Sequence, residues 1–368
     1  MSATVSTVVV KIGSSSLTLD GGAIDAGAVV KLCDEVVGLR RTGHRVLVVT
    51  SGAVAAGVAA LGLERRPTDM PTLQALSAVG QSRLMQVYTD TLGRHGAVGA
   101  QVLVVPQDFF VRRQYLHARQ TLLRLLELGC IPIVNENDAV AVDELRFGDN
   151  DRIAALVAHL VGADTLVLLT DTPGLYTADP RLDPTAVLVE EVRADDPVLD
   201  VDAGGSGTAR GSGGMASKLA AARIASWSGV QTVIARASRP DVLGEAVAGR
   251  LGVGTIFRAH DRRLPARKLW LGFASATAGV LRVDDGARHA LLDGGRSLLP
   301  AGIRGVEGEF DEGDVVDIAG LDGRVFARGM VTVAADTLRA AAGRRSGDLP
   351  AGAPPEAVHR DDLVVLPA

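Results

Sequence analysis

The sequence predicts an α/β protein in which a mainly parallel β-sheet lies between two layers of helices, followed by a small β-rich domain. Over about the first 260 residues, β-branched runs alternate with stretches of helical spacing, as in parallel strands joined by crossover helices. Nearly all of these runs are apolar throughout, which is expected where helices cover both faces of a sheet. After residue 258 the runs become short, alternating and separated by glycines.

The elements of the first domain follow in chain order. The predicted strands are Thr7–Val10, Val46–Val49, Val102–Val105, Ile131–Val134, Leu166–Leu169 and Thr232–Ala235. The predicted helices are Ala28–Leu39, Leu73–Leu92, Gln114–Leu128 and Arg152–Val161. In the last helix, apolar residues recur at the spacing of one helix face, so this stripe is expected to face the sheet.

A basic segment from Arg258 to Lys268 lies between the two sequence patterns and is interpreted as a linker or an interdomain strap. We therefore predict a first domain over residues 1–258, a linker over 259–275 and a β-rich domain over 276–368. The predicted strands of that second domain are Gly279–Val283, Gly308–Phe310, Val315–Ile318 and Val325–Arg328.

Composition excludes several functions. Aromatic residues make up only 3% of the 368 residues and the net charge is −5, so neither base stacking nor phosphate attraction is favoured. The two cysteines lie far apart in apolar surroundings, which predicts buried free thiols. The longest apolar runs have strand length, too short to span a bilayer. A soluble cytoplasmic protein is expected.

Polar residues follow the first two predicted strands, at the sheet edge where ligands of α/β proteins gather. After the first strand come Lys11, Gly13 and serines 14–16; the lysine can reach a phosphate, although an ordinary turn explains the same residues. After the second strand, the small residues 50–57 lead into a helix. They expose backbone donors to an anion, or they allow the helix to pack closely on the sheet.

Two acidic clusters are more specific. The segment Asn135–Asp138 directly follows a predicted strand, and Asp149, Asn150 and Asp151 open a predicted helix. An N-cap, worth about 1 kcal/mol, explains one aspartate but not two carboxylates flanking an amide. We interpret one cluster as a site for an ammonium group and the other as a site that orders cations.

Two further loops are candidates for binding a nucleotide. Residues 170–176 form a turn after a strand, and such a loop either only reverses the chain or also holds an adenosine. The glycine-rich segment 204–218 ends at Lys218 on the first turn of a helix. Glycines allow backbone amides to wrap an anion. A flexible linker does not explain the terminal lysine, so phosphate binding is favoured.

Other catalytic patterns are absent. The sequence contains neither a P-loop motif nor a dinucleotide-binding glycine motif after a strand. The histidines lack metal-ligand spacing, and no serine elbow is present. His359-Arg360-Asp361 imitates a protein-kinase motif, but its companion motifs are missing and the match is interpreted as coincidence.

Taken together, the motifs resemble the amino acid kinase family. They are Lys11-Ile-Gly-Ser-Ser, Thr50-Ser-Gly-Ala, Asn135-Glu-Asn-Asp, Phe147-Gly-Asp-Asn-Asp, Leu168-Leu-Thr-Asp-Thr-Pro-Gly-Leu-Tyr and Gly211-Ser-Gly-Gly-Met-Ala-Ser-Lys. Within the family they are most similar to the bacterial members whose acceptor is glutamate. Residues 297–303 and 358–362 resemble a PUA domain. The resemblance implies ATP-dependent phosphorylation of the γ-carboxylate of L-glutamate, the first step of proline biosynthesis.

The resemblance also implies roles for individual residues. Lys11 and Lys218 contact the ATP phosphates, and Asp151 orients both lysines, so these three are the implied catalytic residues. The implied substrate-binding residues are Ser51, Gly52, Ala53, Asn135, Asp138, Asp149 and Asn150. The implied ATP-binding residues are Lys11, Gly13, Thr170, Asp171, Tyr176, Ser212, Gly213, Gly214, Met215, Ala216, Ser217 and Lys218. Mg²⁺ is expected with ATP, and no metal ligand is assigned.

The resemblance also implies regulation and assembly, and two alternative functions are considered beside it. Feedback inhibition by L-proline and assembly into dimers or tetramers are expected from the family. One alternative is a family member with a different acceptor. Another is an RNA-binding regulator that acts through the PUA domain, which the low aromatic content and acidic net charge disfavour.

Overall fold

The computed structural model describes residues 5–19, 21–105, 107–140, 150–193, 196, 214–261, 263–274, 277–344, 348 and 355–366. The chain divides into two compact units, Met1–Arg263 and Leu264–Ala368. Residues 259–275, the predicted linker, are shared between the two units, and their role as a separate linker stays a prediction.

The first unit contains an eight-stranded sheet in the order β3-β4-β2-β1-β5-β7-β8-β6. The strands are β1 Thr7–Ile12, β2 Arg45–Val49, β3 Gly99–Val104, β4 Ile131–Glu136, β5 Thr165–Thr170, β6 Glu191–Val192, β7 Gln231–Arg236 and β8 Gly254–Phe257. Neighbouring strands run parallel except for the antiparallel pair β7 and β8. The predicted mainly parallel sheet is confirmed.

Helices cover both faces of this sheet. They are α1 Ala26–Arg41, α2 Ala53–Ala60, α3 Met70–Arg94, α4 Gln107–Phe110, α5 Arg112–Glu127, α6 Asn150–Val161, α7 Met215–Trp227 and α8 Val242–Val247. Helices α1, α3 and α8 pack together, with α2 on α3, while α5, α6 and α7 form a second layer. All four predicted helices are present, with slightly different ends.

The alternation of side chains along the central strands explains why these strands are apolar throughout. Val8 and Val10 of β1 pack in a core cluster with Val29 and Leu32 of α1, whereas Val9, between them on the strand, points to the other face and is equally buried. Because both faces are covered by helices, the middle positions of β1 favour apolar residues, and its polar residues Thr7 and Lys11 lie toward its ends.

Three elements of the first unit depart from the predictions. Strand β4 continues through Asn135 and Glu136, which the sequence placed after the strand, because both residues pair with the edge strand β3. The short strands β6 and β8 were not predicted. With two and four residues, they carry too little periodicity to be recognised in the sequence.

Helices α2 and α3 cross at two glycines. A Cβ atom at Gly57 would lie 2.0 Å from the carbonyl oxygen of Leu76, and one at Gly80 would lie 1.8 Å from that of Ala53. The two backbones therefore touch, which only glycine allows at these positions. This crossing sets the position of α3 relative to the N-terminus of α2.

The second unit is built on a five-stranded sheet in the order β10-β9-β11-β12-β13. The strands are β9 Gly279–Val283, β10 Ile303–Gly308, β11 Val315–Ala319, β12 Val325–Val331 and β13 Val358–Val365. The helices are α9 Ala266–Leu269, a π-helical turn Trp270–Ala274, α10 Asp285–Leu292 and α11 Ala335–Ala341. The predicted β-rich character is confirmed.

One predicted strand of the second unit is wrong in position. The run Gly308–Phe310 lies largely beyond strand β10, which ends at Gly308. Gly308 has φ +88°, a left-handed conformation that breaks the extended backbone, and Phe310 enters the core from the following turn. In neither unit does a helix among the described residues combine the length and apolarity needed to cross a membrane.

Candidate active site

A buried cluster of two lysines and one aspartate lies at the carboxyl end of β1. Lys11 is the next to last residue of β1, Asp151 lies in the first turn of α6, and Lys218 lies near the start of α7. Lys11 Nζ is 2.6 Å from Asp151 Oδ1, and Lys218 Nζ is 3.0 Å from Asp151 Oδ2. The resemblance to the amino acid kinase family implied that Asp151 orients both lysines, and the structure places the three side chains together.

The cluster carries buried charge. Asp151 is 0% exposed, Lys11 5% and Lys218 7%. Burial by itself raises the pKa of the Asp151 carboxyl, but the ammonium groups of Lys11 and Lys218 lower that pKa by more, so it lies below its usual range. Asp151 is therefore ionised at neutral pH. With both lysines charged the cluster has one excess positive charge, which suits an anion.

Lysine is rare in this protein, which makes the cluster more informative. The sequence contains only four lysines, Lys11, Lys31, Lys218 and Lys268, and its other basic side chains are arginines. Two of the four meet at one carboxylate. A lysine ammonium is a compact charge on a flexible chain, whereas arginine presents a wide planar fork, so the site favours a small moving anionic group.

Small residues surround the lysines. A Cβ atom at Gly13 would lie 3.5 Å from Lys11 Nζ, an ordinary contact distance, so the loop after β1 passes directly beside that ammonium. Gly214 is the N-cap of α7, and Met215, Ala216 and Ser217 form its first turn. Ser217 Oγ lies 3.4 Å from Asp151 Oδ2. The N-terminus of α7 thus meets that of α6 at the cluster, and backbone N–H groups at helix N-termini favour anions.

A second cluster, made of neutral amides, lies at the ends of β2 and β4. Asn150 Nδ2 is 2.8 Å from the Thr50 carbonyl oxygen, 2.8 Å from Ser51 Oγ and 2.9 Å from Asn135 Oδ1. Asn150 immediately precedes Asp151 in α6. The amide cluster and the lysine cluster are therefore adjacent along one helix turn.

The loop that carries Ser51 depends on a glycine. Gly52 has φ +103° and is the N-cap of α2, which begins at Ala53. A residue with a side chain is strained in this conformation. The glycine allows the chain to turn sharply from β2 into α2, and this turn places Ser51 beside Asn150.

Helix α3 supplies residues that the sequence interpretation treated only as packing. Ser77 Oγ donates to Asp138 Oδ2 at 3.1 Å, and Asn135 Nδ2 donates to Gln81 Oε1 at 2.9 Å. Ser77 and Gln81 are both buried. They stand four residues apart, so they share a helix face, and two buried polar residues at that spacing are the signal that was missed.

The predicted nucleotide loop begins at the end of β5. Thr170 Oγ1 donates to Asp171 Oδ1 at 3.0 Å. A cavity of about 480 Å³ opens there, and it is lined by residues at and after the ends of β1, β5 and β7, including Ile12, Ser15, Thr170, Asp171 and Ser238, and by residues of α1 and α8. Its volume is in the range of small-molecule sites.

The rest of this loop is held against β8. Leu175 N donates to Thr255 Oγ1 at 2.8 Å, and a Cβ atom at Gly174 would lie 2.6 Å from the same oxygen. Tyr176 forms an isolated bridge with Leu188. Its predicted contact with a nucleotide stays a prediction, as do the other ligand contacts assigned from the sequence. Asp149, Ser212 and Gly213 lie outside the described residues.

Comparison with known proteins identifies both units. Residues 6–236 match the amino acid kinase family, and residues 279–352 match the PUA domain. In structure, the first unit is similar to a carbamate kinase from Giardia lamblia bound to AMP-PNP, with a TM-score of 0.52 and 16% identity over 70% of this chain and 100% of that chain. This likeness concerns the fold alone.

Relatives of full length share much more sequence. A glutamate 5-kinase from Gloeobacter violaceus is 48% identical over 367 residues, which cover 98% of this chain and 99% of the relative. A glutamate 5-kinase from Pseudomonas entomophila is 46% identical over 362 residues, or 97% of each chain. The chain therefore belongs to the glutamate 5-kinases of the amino acid kinase family, with a PUA domain as its second unit.

Proposed function

We propose that the protein transfers the γ-phosphoryl group of ATP to the side-chain carboxylate of L-glutamate, forming L-glutamyl 5-phosphate. The observation that carries this proposal is the pairing of Lys11 and Lys218 on the buried carboxylate of Asp151. The relatives named glutamate 5-kinase cover nearly the whole chain, and they supply the acceptor.

The chemistry needs little proton transfer. A glutamate side-chain carboxylate has an ordinary pKa of about 4.3, so it is already a nucleophile at neutral pH and needs no general base. The demand is instead for alignment and for compensation of negative charge on the transferred phosphoryl group. Lys11 and Lys218 supply two positive charges, and Asp151 keeps them close together despite their mutual repulsion.

The amide cluster is proposed to hold glutamate. One side of the acceptor site is lined by Asn150 and by its hydrogen-bond partners Ser51 and Asn135. Asp138 is positioned by a hydrogen bond from Ser77. The carboxylate of Asp138 pairs with the substrate ammonium, which selects an amino acid over a plain dicarboxylate. Gly52, Ala53 and Asp149 complete the proposed acceptor site.

ATP is proposed to lie between the lysine cluster and the cavity at the ends of β1, β5 and β7. Its phosphates meet Lys11, Gly13 and the segment from Ser212 to Lys218, and its nucleoside lies near Thr170, Asp171 and Tyr176. Mg²⁺ is expected to bind mainly through the phosphate oxygens. Among the described residues, no group of three or more His, Cys, Asp or Glu side chains forms a metal site.

Membership of the family carries further proposals about pathway, regulation and assembly. The reaction is the first step of proline biosynthesis, and L-proline is proposed as its feedback inhibitor. A homo-oligomer and a cytoplasmic location are proposed on the same grounds.

A substrate panel tests the function directly. ADP release is measured with ATP and Mg²⁺ in the presence of glutamate, aspartate, N-acetylglutamate or UMP. We expect the activity with glutamate to be at least about tenfold higher than with the other acceptors. An acceptor that lacks or displaces a polar group of glutamate leaves buried polar groups of the acceptor site unpaired. Preference for another acceptor would keep the kinase assignment and overturn the substrate.

A further inference from the structure

We propose that Gln81 is a positioning residue for the acceptor substrate. It orients the carboxamide of Asn135, and through it that of Asn150, so that Asn150 Oδ1 remains available to accept a hydrogen bond from the ammonium group of an α-amino acid. This inference rests on the proposed function and adds a residue to which no role has been assigned.

The geometry is a chain of three carboxamides. Gln81 lies on α3 and is 8% exposed. Its Oε1 accepts from Asn135 Nδ2 at 2.9 Å, and Asn135 Oδ1 accepts from Asn150 Nδ2 at 2.9 Å. The chain leads from the buried face of α3 across the end of β4 to the first residue of α6.

Backbone groups and Gln81 together determine which way each carboxamide faces. The N–H of Glu136 can only donate, so Asn135 turns its oxygen toward it, at 2.9 Å. The nitrogen of Asn135 then needs an acceptor on the opposite side, and Gln81 Oε1 provides it. The carbonyl of Thr50 can only accept, so Asn150 turns its nitrogen toward it, at 2.8 Å.

One acceptor remains at the end of this chain. Asn150 Oδ1 is buried and has no hydrogen-bond partner among the described residues. A buried carbonyl oxygen without a partner is unfavourable, and a ligand that donates to it removes that penalty. An ammonium group has three donors and no acceptor, so it fits this oxygen, whereas a carboxylate is repelled by it.

Packing does not explain Gln81. Its Nε2 is also buried and has no partner among the described residues, so the side chain loses hydrogen bonds to water that it does not regain. Methionine has nearly the same length and would fill the same space without that cost. The amide is therefore explained by its contact with Asn135.

The test compares Gln81→Met with the control Gln86→Met. Gln86 lies on the same helix but is exposed and bonds only to Asp90 in the described contacts. In Gln81→Met, the KM for glutamate is expected to rise about two- to tenfold, the usual range for one lost hydrogen bond, while the KM for ATP and kcat stay near wild type. Gln86→Met is expected to leave all three constants unchanged.

Two further readouts separate positioning from structural damage. The preference for glutamate over glutarate, which lacks the amino group, is expected to fall by a similar factor in Gln81→Met. In an Asn135→Ala background, Gln81→Met is expected to add nothing further to the glutamate KM. An unchanged preference, or full additivity with Asn135→Ala, would overturn the proposal. Gln81→Leu serves as the second variant if the methionine variant does not fold.

The wild-type measurement keeps the two proposals apart. If the wild-type protein does not phosphorylate glutamate, the proposed function is wrong. If it does, and Gln81→Met has wild-type constants and preference, only the positioning role is wrong.

Discussion

The lysine cluster and the amide cluster occupy the same edge of one sheet, yet the first is built from charged side chains and the second from neutral ones. The lysine cluster contains three buried charges joined by two ion pairs. The amide cluster around Asn135 and Asn150 is joined by hydrogen bonds between neutral groups. They meet at Asn150 and Asp151, which are consecutive residues of α6.

This difference follows from what each cluster is proposed to do. Charge is placed where the reaction itself moves charge, because a fixed positive group stabilises the developing anion most strongly in a site shielded from water. Neutral amides are placed where a substrate is selected, because their donors and acceptors form hydrogen bonds only with polar groups in the matching positions and directions. Changes in the lysine cluster should therefore alter kcat, and changes in the amide cluster should alter the KM for glutamate.

The largest effect is expected for Asp151→Asn. The amide keeps the shape but turns an N–H donor toward one of the two ammonium groups, which leaves buried like charges without a counter-charge. Removing one partner of a buried ion pair costs about 3–5 kcal/mol. The free energy of unfolding, measured with urea at pH 7, should fall by that order. Asp285→Asn, at an exposed aspartate in the first turn of α10, is the matched control and should change little.

The pH dependence of this variant has a definite sign. The pKa of Asp151 is lower in the folded than in the unfolded protein. Its contribution to stability is therefore present above the unfolded value of about 3.9 and is lost as the pH falls through the folded value. The stability difference between wild type and Asp151→Asn should narrow below about pH 4, and a constant difference would contradict the assigned pairing.

Lys218→Ala is expected to have the next largest effect. It removes one of two positive charges beside the transferred group but leaves Asp151 paired with Lys11. We expect kcat to fall about 10²- to 10³-fold, with little change in the KM for glutamate. Steady-state ADP release measures both constants, with Lys268→Ala in the second unit as control. Near-normal turnover would remove Lys218 from the catalytic role.

Asp138→Ala tests the other side of the comparison. The loss of a charge-assisted hydrogen bond to the substrate ammonium should raise the KM for glutamate about tenfold or more, with a smaller effect on the KM for ATP. The same assay measures both constants. An unchanged glutamate KM would contradict the assignment of Asp138. A fall in kcat alone would contradict the division of roles between the two clusters.

Gly57→Ala acts on the support of the amide cluster, and among these four variants it is expected to change the kinetic constants least. The added methyl group would collide with the backbone of Leu76 and push α3 away from α2. Overpacking of this kind costs about 1–3 kcal/mol of stability. Because Ser77 and Gln81 move with α3, the KM for glutamate should rise as well.

A glycine near the exposed C-terminal end of α3 provides the control. Gly93 has open space around its Cβ position, so Gly93→Ala should keep or slightly raise stability. Urea unfolding and glutamate kinetics of the two variants give the comparison. Equal behaviour of both would show that the crossing does not set the position of α3.

Prediction from the sequence was most successful where the burial of a residue can be inferred from its own type and that of its neighbours. Strand β1 is apolar at Val8, Val9 and Val10 because both faces are covered, and its sequence shows this directly. Lys11 stands out for the same reason, since it directly follows the apolar run Val8–Val10. The sequence pattern therefore predicted the central sheet and its helices, and the family resemblance added the lysine cluster.

The rest depended on contacts between segments distant in the chain. The partner of Asn135 is Gln81, 54 residues away, and no local pattern links the two. Strand β6 has only two residues and exists because β8 lies beside it.

The amino-acid sequence alone thus determined the α/β architecture and the order of the loops, because burial and periodicity act residue by residue, and the resemblance to the amino acid kinase family added the lysine cluster. The tertiary structure decided that α3 joins the acceptor side, through the glycine crossing of Gly57 and Gly80. It also decided which atom of Asn150 remains available. Hydrogen-bond direction and backbone contact depend on the position of both partners, and only the folded chain brings those partners together.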